Sequence, residues 1–345
     1  MTKSGYRLAL LATVLTAVVV ILGAYTRLTH AGLGCPDWPG CYGFLGVPMS
    51  EHKQALAEAR FPEAPIEVAK GWYEMIHRYF AAALGVLIMG IAAQAIALRQ
   101  RSQQPLKLPL AILALVILQG AFGMWTVTLK LWPQVVTAHL LGGFATLSLL
   151  ALLTLRLSGR FEAVQVPSSL RALAAAGLLL VIMQIALGGW VSSNYAAVAC
   201  VDLPTCHGQW WPQADFGKGF HLSQQIGPNY LGGQLDSEAR TAIHMTHRLG
   251  ALLVSVVLLA LAWRLYRQRF TALAGGLVAV LALQIGLGVS NVLLHLPLLV
   301  AVAHNAVGAL LLLSLVLINY RLRAPLQQQV ERSAVDMDGA VLAQS

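Results

Sequence analysis

Charge is what this chain of 345 residues has least of: Asp, Glu, Lys and Arg together make up only 11% of it. A soluble domain carries about 25%, so a water-exposed globular surface is excluded. The 14 acidic residues are outnumbered by 23 basic ones. Because the basic residues are dispersed over short segments, they do not form a nucleic-acid-binding patch. Alternating apolar and polar residues in runs of about 10, the mark of an outer-membrane barrel, are also missing. Cysteine is confined to four positions, 35, 41, 200 and 206.

What the chain has in abundance is apolar length. It is 57% hydrophobic, with a mean hydropathy of +0.68. Eight stretches, at 8–28, 74–97, 109–128, 134–156, 171–193, 242–264, 272–293 and 300–320, can each cross about 30 Å of hydrocarbon as a helix. The expected fold class is therefore all-α integral membrane, with eight transmembrane helices. The first stretch has the basic start of a signal peptide, in Lys3 and Arg7. It is too long for one, however, and runs into Thr26-Arg27-Leu28 without a small-residue cleavage site, so it reads as a retained helix.

The basic residues near the stretch ends are Lys3 and Arg7, then Arg99, Arg101 and Lys107, then Arg156, Arg160 and Arg171, then Arg264, Arg267 and Arg269, and finally Arg321 and Arg323. With eight spans all of them fall on one side, which puts both termini in the cytoplasm. The two long segments, 29–73 and 194–241, then lie outside, and each opens with Cys-x5-Cys. Disulfides persist outside the cytoplasm, and pairing within each loop, Cys35–Cys41 and Cys200–Cys206, is the simplest of the three connectivities.

The chain is internally duplicated. Cys35, Cys41, Gln119 and His139 recur 165 residues later as Cys200, Cys206, Gln284 and His304, whereas His77-Arg78 recurs 170 residues later as His247-Arg248. Five residues are thus inserted in the second long loop and returned before Gln284. Four spans per copy is an even number, so both copies insert in the same orientation. They read as two tandem four-helix bundles, a parallel repeat about an axis along the membrane normal. The expected division is 1–157, a linker at 158–170, 171–323, and a polar, disordered tail at 324–345.

His77, His139, His247 and His304 each fall about one turn inside an apolar stretch that begins at the outer face. Their levels therefore match, as two axial imidazoles holding one heme iron between facing helices require. Ionisable groups at this depth are expensive and usually functional. The competing reading of one such histidine is a hydrogen-bonded packing residue, but four matched positions weigh against that. Zinc competes less well, because its structural sites need four converging ligands and each half offers two. His52, His207 and His221 read as solvated loop residues, while His30 and His295 lie at interfaces and fit either role.

Glu74 precedes His77 by three residues and shares its helix face; its counterpart is His244. A carboxylate there can act as acid, base or charge stabiliser, or it is simply an acid favoured at a helix N-terminus. The asymmetry points to a reactive site in the first half and an electron-transfer site in the second. Arg27, Arg78 and Arg248 suit either heme propionates or lipid headgroups. Gln119, Gln284 and Gln184, with glycines close behind, read as helix-packing points.

The run Gly32-Leu-Gly-Cys35-Pro-Asp-Trp-Pro-Gly-Cys41, the motif Glu74-x-x-His77-Arg78, the pair His247-Arg248 and the spaced His139 and His304 resemble the heme A synthase family, in the form with cysteine pairs in both outer loops. The resemblance spans the first helix to the eighth. It implies an enzyme of the bacterial inner membrane that oxidises the C8 methyl of heme O to a formyl group, giving heme A for terminal oxidases. The steps it implies are successive hydroxylations and dehydration of a geminal diol, with electrons leaving to an unidentified acceptor. It further implies heme b between His247 and His304, with Arg248 beside it. Heme O would lie between His77 and His139, with Glu74 and Arg78 beside it. Contact with the heme O synthase upstream is expected because heme O is poorly soluble, and a homo-oligomer stays open. Cys35 and Cys41 are either a structural staple, the favoured reading, or a catalytic redox pair. Two other functions compete: a diheme electron carrier, which would stack its hemes toward opposite faces, and a membrane thiol–disulfide oxidoreductase, which would leave the buried histidines unexplained. A repeat-built transporter would call for broken helices or midplane charges, neither of which is clear in the sequence.

Overall fold

A computed structural model describes residues 3–100, 105–161 and 163–323. Arg101, used above for orientation, and the tail 324–345 lie outside the described residues. The chain forms α1 (Tyr6–Leu28), α2 (Glu51–Arg60), α3 (Val68–Ala97), α4 (Lys107–Thr128), α5 (Pro133–Ser158), α6 (Ser168–Ser193), α7 (Phe216–Gly219), α8 (Ser237–Arg267), α9 (Thr271–Leu293) and α10 (Leu298–Arg321). Among the described residues, eight of these are long and apolar enough to cross a membrane, all but α2 and α7. The shortest, α4 with 22 residues, spans about 33 Å at the usual rise. Large apolar side chains such as Leu11, Val14, Val86, Ile117, Leu252 and Val256 point outward and are more than half exposed. That would be costly in water and suits lipid.

The long helices pack as two rings. In the first, α1 touches α3, α3 touches α4, α4 touches α5 and α5 returns to α1; in the second, the same circuit runs through α6, α8, α9 and α10. Hence α3 and α5 stand diagonally across one ring, and α8 and α10 across the other. Ala9, Leu84, Ile112, Leu150 and Leu153 fill the first ring. Val181, Leu258, Leu277 and Leu315 fill the second, together with Phe144 and Leu147 from α5. Contacts of α1 with α10, α5 with α6 and α5 with α10 join the rings.

Short connections on the loop side of the histidines force left-handed backbone on residues other than glycine, and they do so at matching positions. Lys130 and Leu131 (φ 49° and 61°) between α4 and α5 correspond to His295 and Leu296 (φ 58° and 62°) between α9 and α10. His30 and Tyr195, both at φ 55°, follow α1 and α6. Pro133 at the first turn of α5 and Pro297 just before α10 then restart the helices, where a missing N–H leaves no bond unmade.

Two helix starts differ from the hydropathy reading. Residues 68–73, Val-Ala-Lys-Gly-Trp-Tyr, extend α3, and the more polar residues 237–241 extend α8. The latter is capped by Asp236, whose carboxylate accepts from Ala239 N at 2.9 Å. Apolar content cannot register such turns, whereas a cap and continuous backbone hydrogen bonding can. The long loops are correspondingly shorter than expected and contain α2 and α7.

Candidate functional site

With these boundaries His77 lies about 14 Å along α3 and His247 about 15 Å along α8, whereas His139 and His304 lie about 9 Å along α5 and α10. The offsets from the helix starts are therefore unequal, because α3 and α8 begin further out; the sequence expectation of equal offsets is corrected on this point. His77 and His139, on the diagonal of the first ring, lie within electrostatic range of each other. So do His247 and His304 on the diagonal of the second.

The Nδ1 atoms of His77, His139 and His304 are buried without a hydrogen-bond partner. His247 is held by Gln184 of α6, whose amide nitrogen lies 3.0 Å from its Nδ1 and donates to its backbone carbonyl at 2.8 Å. Gln284 of α9 reaches Nε2 of His304 at 3.3 Å. Gln184 had read as a packing residue. Its counterpart 165 positions earlier is Val19, so only the second half offers a side-chain amide at this position. Gln119 remains a packing residue: its amide lies against the backbone of Gly142, where a β-carbon would meet it.

Glu74 is 5% exposed. Its Oε2 accepts from the backbone N–H of Cys35 at 2.9 Å and its Oε1 from Nη2 of Arg78 at 2.6 Å. The other Arg78 nitrogen donates to the carbonyls of Asp37 at 3.0 Å and of Gly40. Carboxylate, guanidinium and disulfide loop therefore form one unit on the side of α3 that carries His77. The loop can come this close because Gly34 lies on the α3 backbone at Lys70, where a β-carbon would sit 2.6 Å from the carbonyl carbon.

His244 is equally buried, at 6%, but has a different partner. Its Nδ1 donates to the carbonyl of Ala196 at 2.9 Å. A carbonyl only accepts, so the hydrogen sits on Nδ1 and Nε2 is left as an acceptor. Arg248 donates to the carbonyls of Thr205 at 2.8 Å and Asp202 at 2.9 Å. Arg78 and Arg248 thus both clasp their loops. Arg27 crosses to the other half, donating to the Tyr195 hydroxyl at 2.7 Å and to the Ser192 carbonyl, with its guanidinium 4.2 Å from the centre of the Tyr195 ring. The Nε atoms of Arg27 and Arg248 are buried and unpartnered, as donors awaiting a carboxylate would be.

Both disulfides close within their own loops, Cys35–Cys41 and Cys200–Cys206. Each sits in a small hairpin, with bridges between Cys41 and Phe44 and between Cys206 and Gln209. Asp37 caps the first by accepting from Tyr42 N and Gly43 N, and Asp202 caps the second by accepting from His207 N and Gly208 N. Hydrogen bonds from the Thr205 hydroxyl and the Gly208 N–H hold the Asp202 carboxyl down at about 2. His52, His207 and His221 are exposed, as expected; His30 and His295 are exposed as well, and His30 stacks on Tyr195 at 5.4 Å.

Among the described residues no three His, Cys, Asp or Glu side chains converge on a point that could hold a bare metal ion. Paired imidazoles across an apolar bundle, some with orphaned Nδ1 atoms, instead fit a planar metal complex that brings its own equatorial ligands. The chain is 49% identical to the heme A synthase of Shewanella oneidensis, with 89% of this chain and 93% of the relative covered. It is 31% identical to the heme A synthase of Caulobacter vibrioides, covering 92% and 95%, and 28% identical to that of Rhizorhabdus wittichii, covering 92% and 93%. The family model described as cytochrome oxidase assembly protein, COX15-CtaA, matches residues 6–316. With that match reaching into all eight long helices, the chain belongs to the COX15-CtaA family of cytochrome oxidase assembly proteins.

Proposed function

We propose that this chain is a heme A synthase, which oxidises the C8 methyl of heme O to a formyl group and so provides heme A for terminal oxidases. The observation that carries the reading is the difference between two otherwise matched histidine pairs: the first has the buried ion pair Glu74–Arg78 beside it, and the second has His244 and Gln184. In this reading residues 1–157 form the substrate half, with heme O between His77 and His139, and residues 171–323 form the cofactor half, with heme b between His247 and His304. When bound, heme b supplies a one-electron redox centre.

Turning a methyl into a formyl group is an oxidation, so electrons must leave the substrate half for an acceptor outside this chain. Glu74 is the group there that can take up and release a proton; its hydrogen bonds from Cys35 N and Arg78 fix which oxygen faces which partner. His77 and His139 orient the substrate. Gln184 steadies the imidazole of His247. Arg78, Arg248 and Arg27 lie toward the loop side, where the propionates of a bound heme would reach their donors.

The basic residues at the opposite helix ends support a location in the bacterial inner membrane with both termini in the cytoplasm. Because heme O is poorly soluble, its delivery by contact with the heme O synthase completes the proposal.

The decisive experiment extracts the noncovalent hemes from purified protein and identifies them by chromatography and mass. Heme b together with heme O, an oxidised intermediate or heme A supports the synthase. Heme b alone at two per chain supports the diheme electron carrier instead, and no heme from cells able to supply it rejects both.

A further inference from the structure

Each of the four histidines turns the Cε1 edge of its ring toward a glycine on the neighbouring helix. A β-carbon added at Gly23 of α1 would stand 2.9 Å from Cε1 of His77, and one at Gly188 of α6 would stand 3.3 Å from Cε1 of His247. At Gly288 of α9 the separation from Cε1 of His304 would be 3.1 Å, and at Gly123 of α4 it would be 3.6 Å from that of His139. Gly23 and Gly188 are 165 residues apart, as are Gly123 and Gly288. Carbon atoms pack best at about 3.5–4.0 Å. An added methyl therefore fits beside His139, crowds His247 and His304, and overlaps His77.

We propose that Gly23, Gly188 and Gly288 are positioning residues for the axial histidines. The missing β-carbon lets each imidazole edge seat against the adjoining helix, which fixes the angle and depth at which the ring nitrogen meets the iron. The proposal rests on the reading of these histidines as heme ligands, and it deepens that reading by assigning their geometry to the neighbouring helices. Helix packing alone does not account for these glycines, because the atom met first in each case is the histidine ring carbon. Glycines without such a neighbour stand close by. Gly286 on α9, two residues before Gly288, and Gly120 on α4, three before Gly123, meet nothing within 4 Å. Alanine is the better helix former at all of these sites, so the substitutions differ only in what the new methyl strikes.

The test uses full-length protein purified in detergent and compares Gly188→Ala and Gly288→Ala with Gly286→Ala. The readouts are bound heme b per chain, the reduced α-band and the low-spin ferric electron paramagnetic resonance signal. The first two variants should lose heme b or shift both spectra, with Gly288→Ala the more affected, while Gly286→Ala matches the parent. In the substrate half, Gly23→Ala should weaken binding of added heme O, followed by difference spectroscopy, while Gly123→Ala leaves it unchanged. Parental heme content and spectra in Gly188→Ala and Gly288→Ala would overturn the proposal. His247→Ala and His304→Ala run alongside: if they too keep the parental spectrum, the ligand reading itself has failed and not merely its geometry. Should Gly288→Ala not yield folded protein, Gly188→Ala carries the same test through the opposite ligand.

Discussion

At the scale of single residues, Glu74 is held from both sides. Its two oxygens are committed to Cys35 N and Arg78, and the ion pair is nearly closed to solvent. Removing one partner from such a pair leaves a buried, uncompensated charge. Arg78→Ala should therefore lower stability by about 3–5 kcal/mol, read as a fall in the unfolding midpoint in detergent. Glu74→Gln keeps the shape and an acceptor for Cys35 N. It should retain heme b while conversion of added heme O drops by about 10²-fold or more, the usual contribution of a positioned acid or base. Loss of heme b from Glu74→Gln would contradict the division of labour between the halves. The histidines, Glu74 and both cysteine pairs were legible in the sequence because rare residue types recur at a fixed spacing in apolar surroundings. The roles of Gln184 and of the histidine-facing glycines were not, since glutamine and glycine are common in packed membrane helices and only the fold shows what each one touches.

At the scale of elements, the disulfide hairpins invite two tests. Closing a loop this short stabilises by about 2 kcal/mol in the chain-entropy account, for a sequence separation of 6. As a staple, Cys35–Cys41 could be replaced by Cys35→Ala/Cys41→Ala with roughly that loss and with heme b and turnover retained; a redox role requires turnover to vanish. The second hairpin depends on Asp202, whose folded pKa of about 2 lies below its ordinary 3.8. A depressed carboxylate contributes stability that is fully present above the unfolded value and is lost as pH falls through the folded one. Hydrogen-exchange protection of the His207 and Gly208 amides should therefore persist at pH 3 and fade near pH 2, and Asp202→Asn should weaken it already at pH 7. Helix number and order were legible from apolar length. The outer starts of α3 and α8 were not, because turns beyond the hydrocarbon are held by backbone hydrogen bonds, loop contacts and, at α8, the Asp236 cap, none of which hydropathy registers.

At the scale of the whole molecule, the sequence carries a spacing of 165 but not the surface along which the two rings meet, since that depends on which lipid-length faces are complementary. The structure brings α1 to α10 and α5 to α6 and crosses the seam with Arg27, His30 and Tyr195. Arg27→Ala removes two hydrogen bonds and the contact with the Tyr195 ring, and it should lower the unfolding midpoint of the protein in detergent. The residues that meet there are counterparts: Arg27 reaches Ser192, and His30 stacks on Tyr195, each pair 165 positions apart. Counterparts touch one another only on a rotation axis, and two identical subunits would place the same residue on both sides of it. Two copies of the first half would bring guanidinium against guanidinium at that spot, and two copies of the second would have no cation to offer Tyr195. Covalent linkage thus permits a seam that a symmetric dimer of either half could not form, so the halves produced as separate chains should choose each other over themselves.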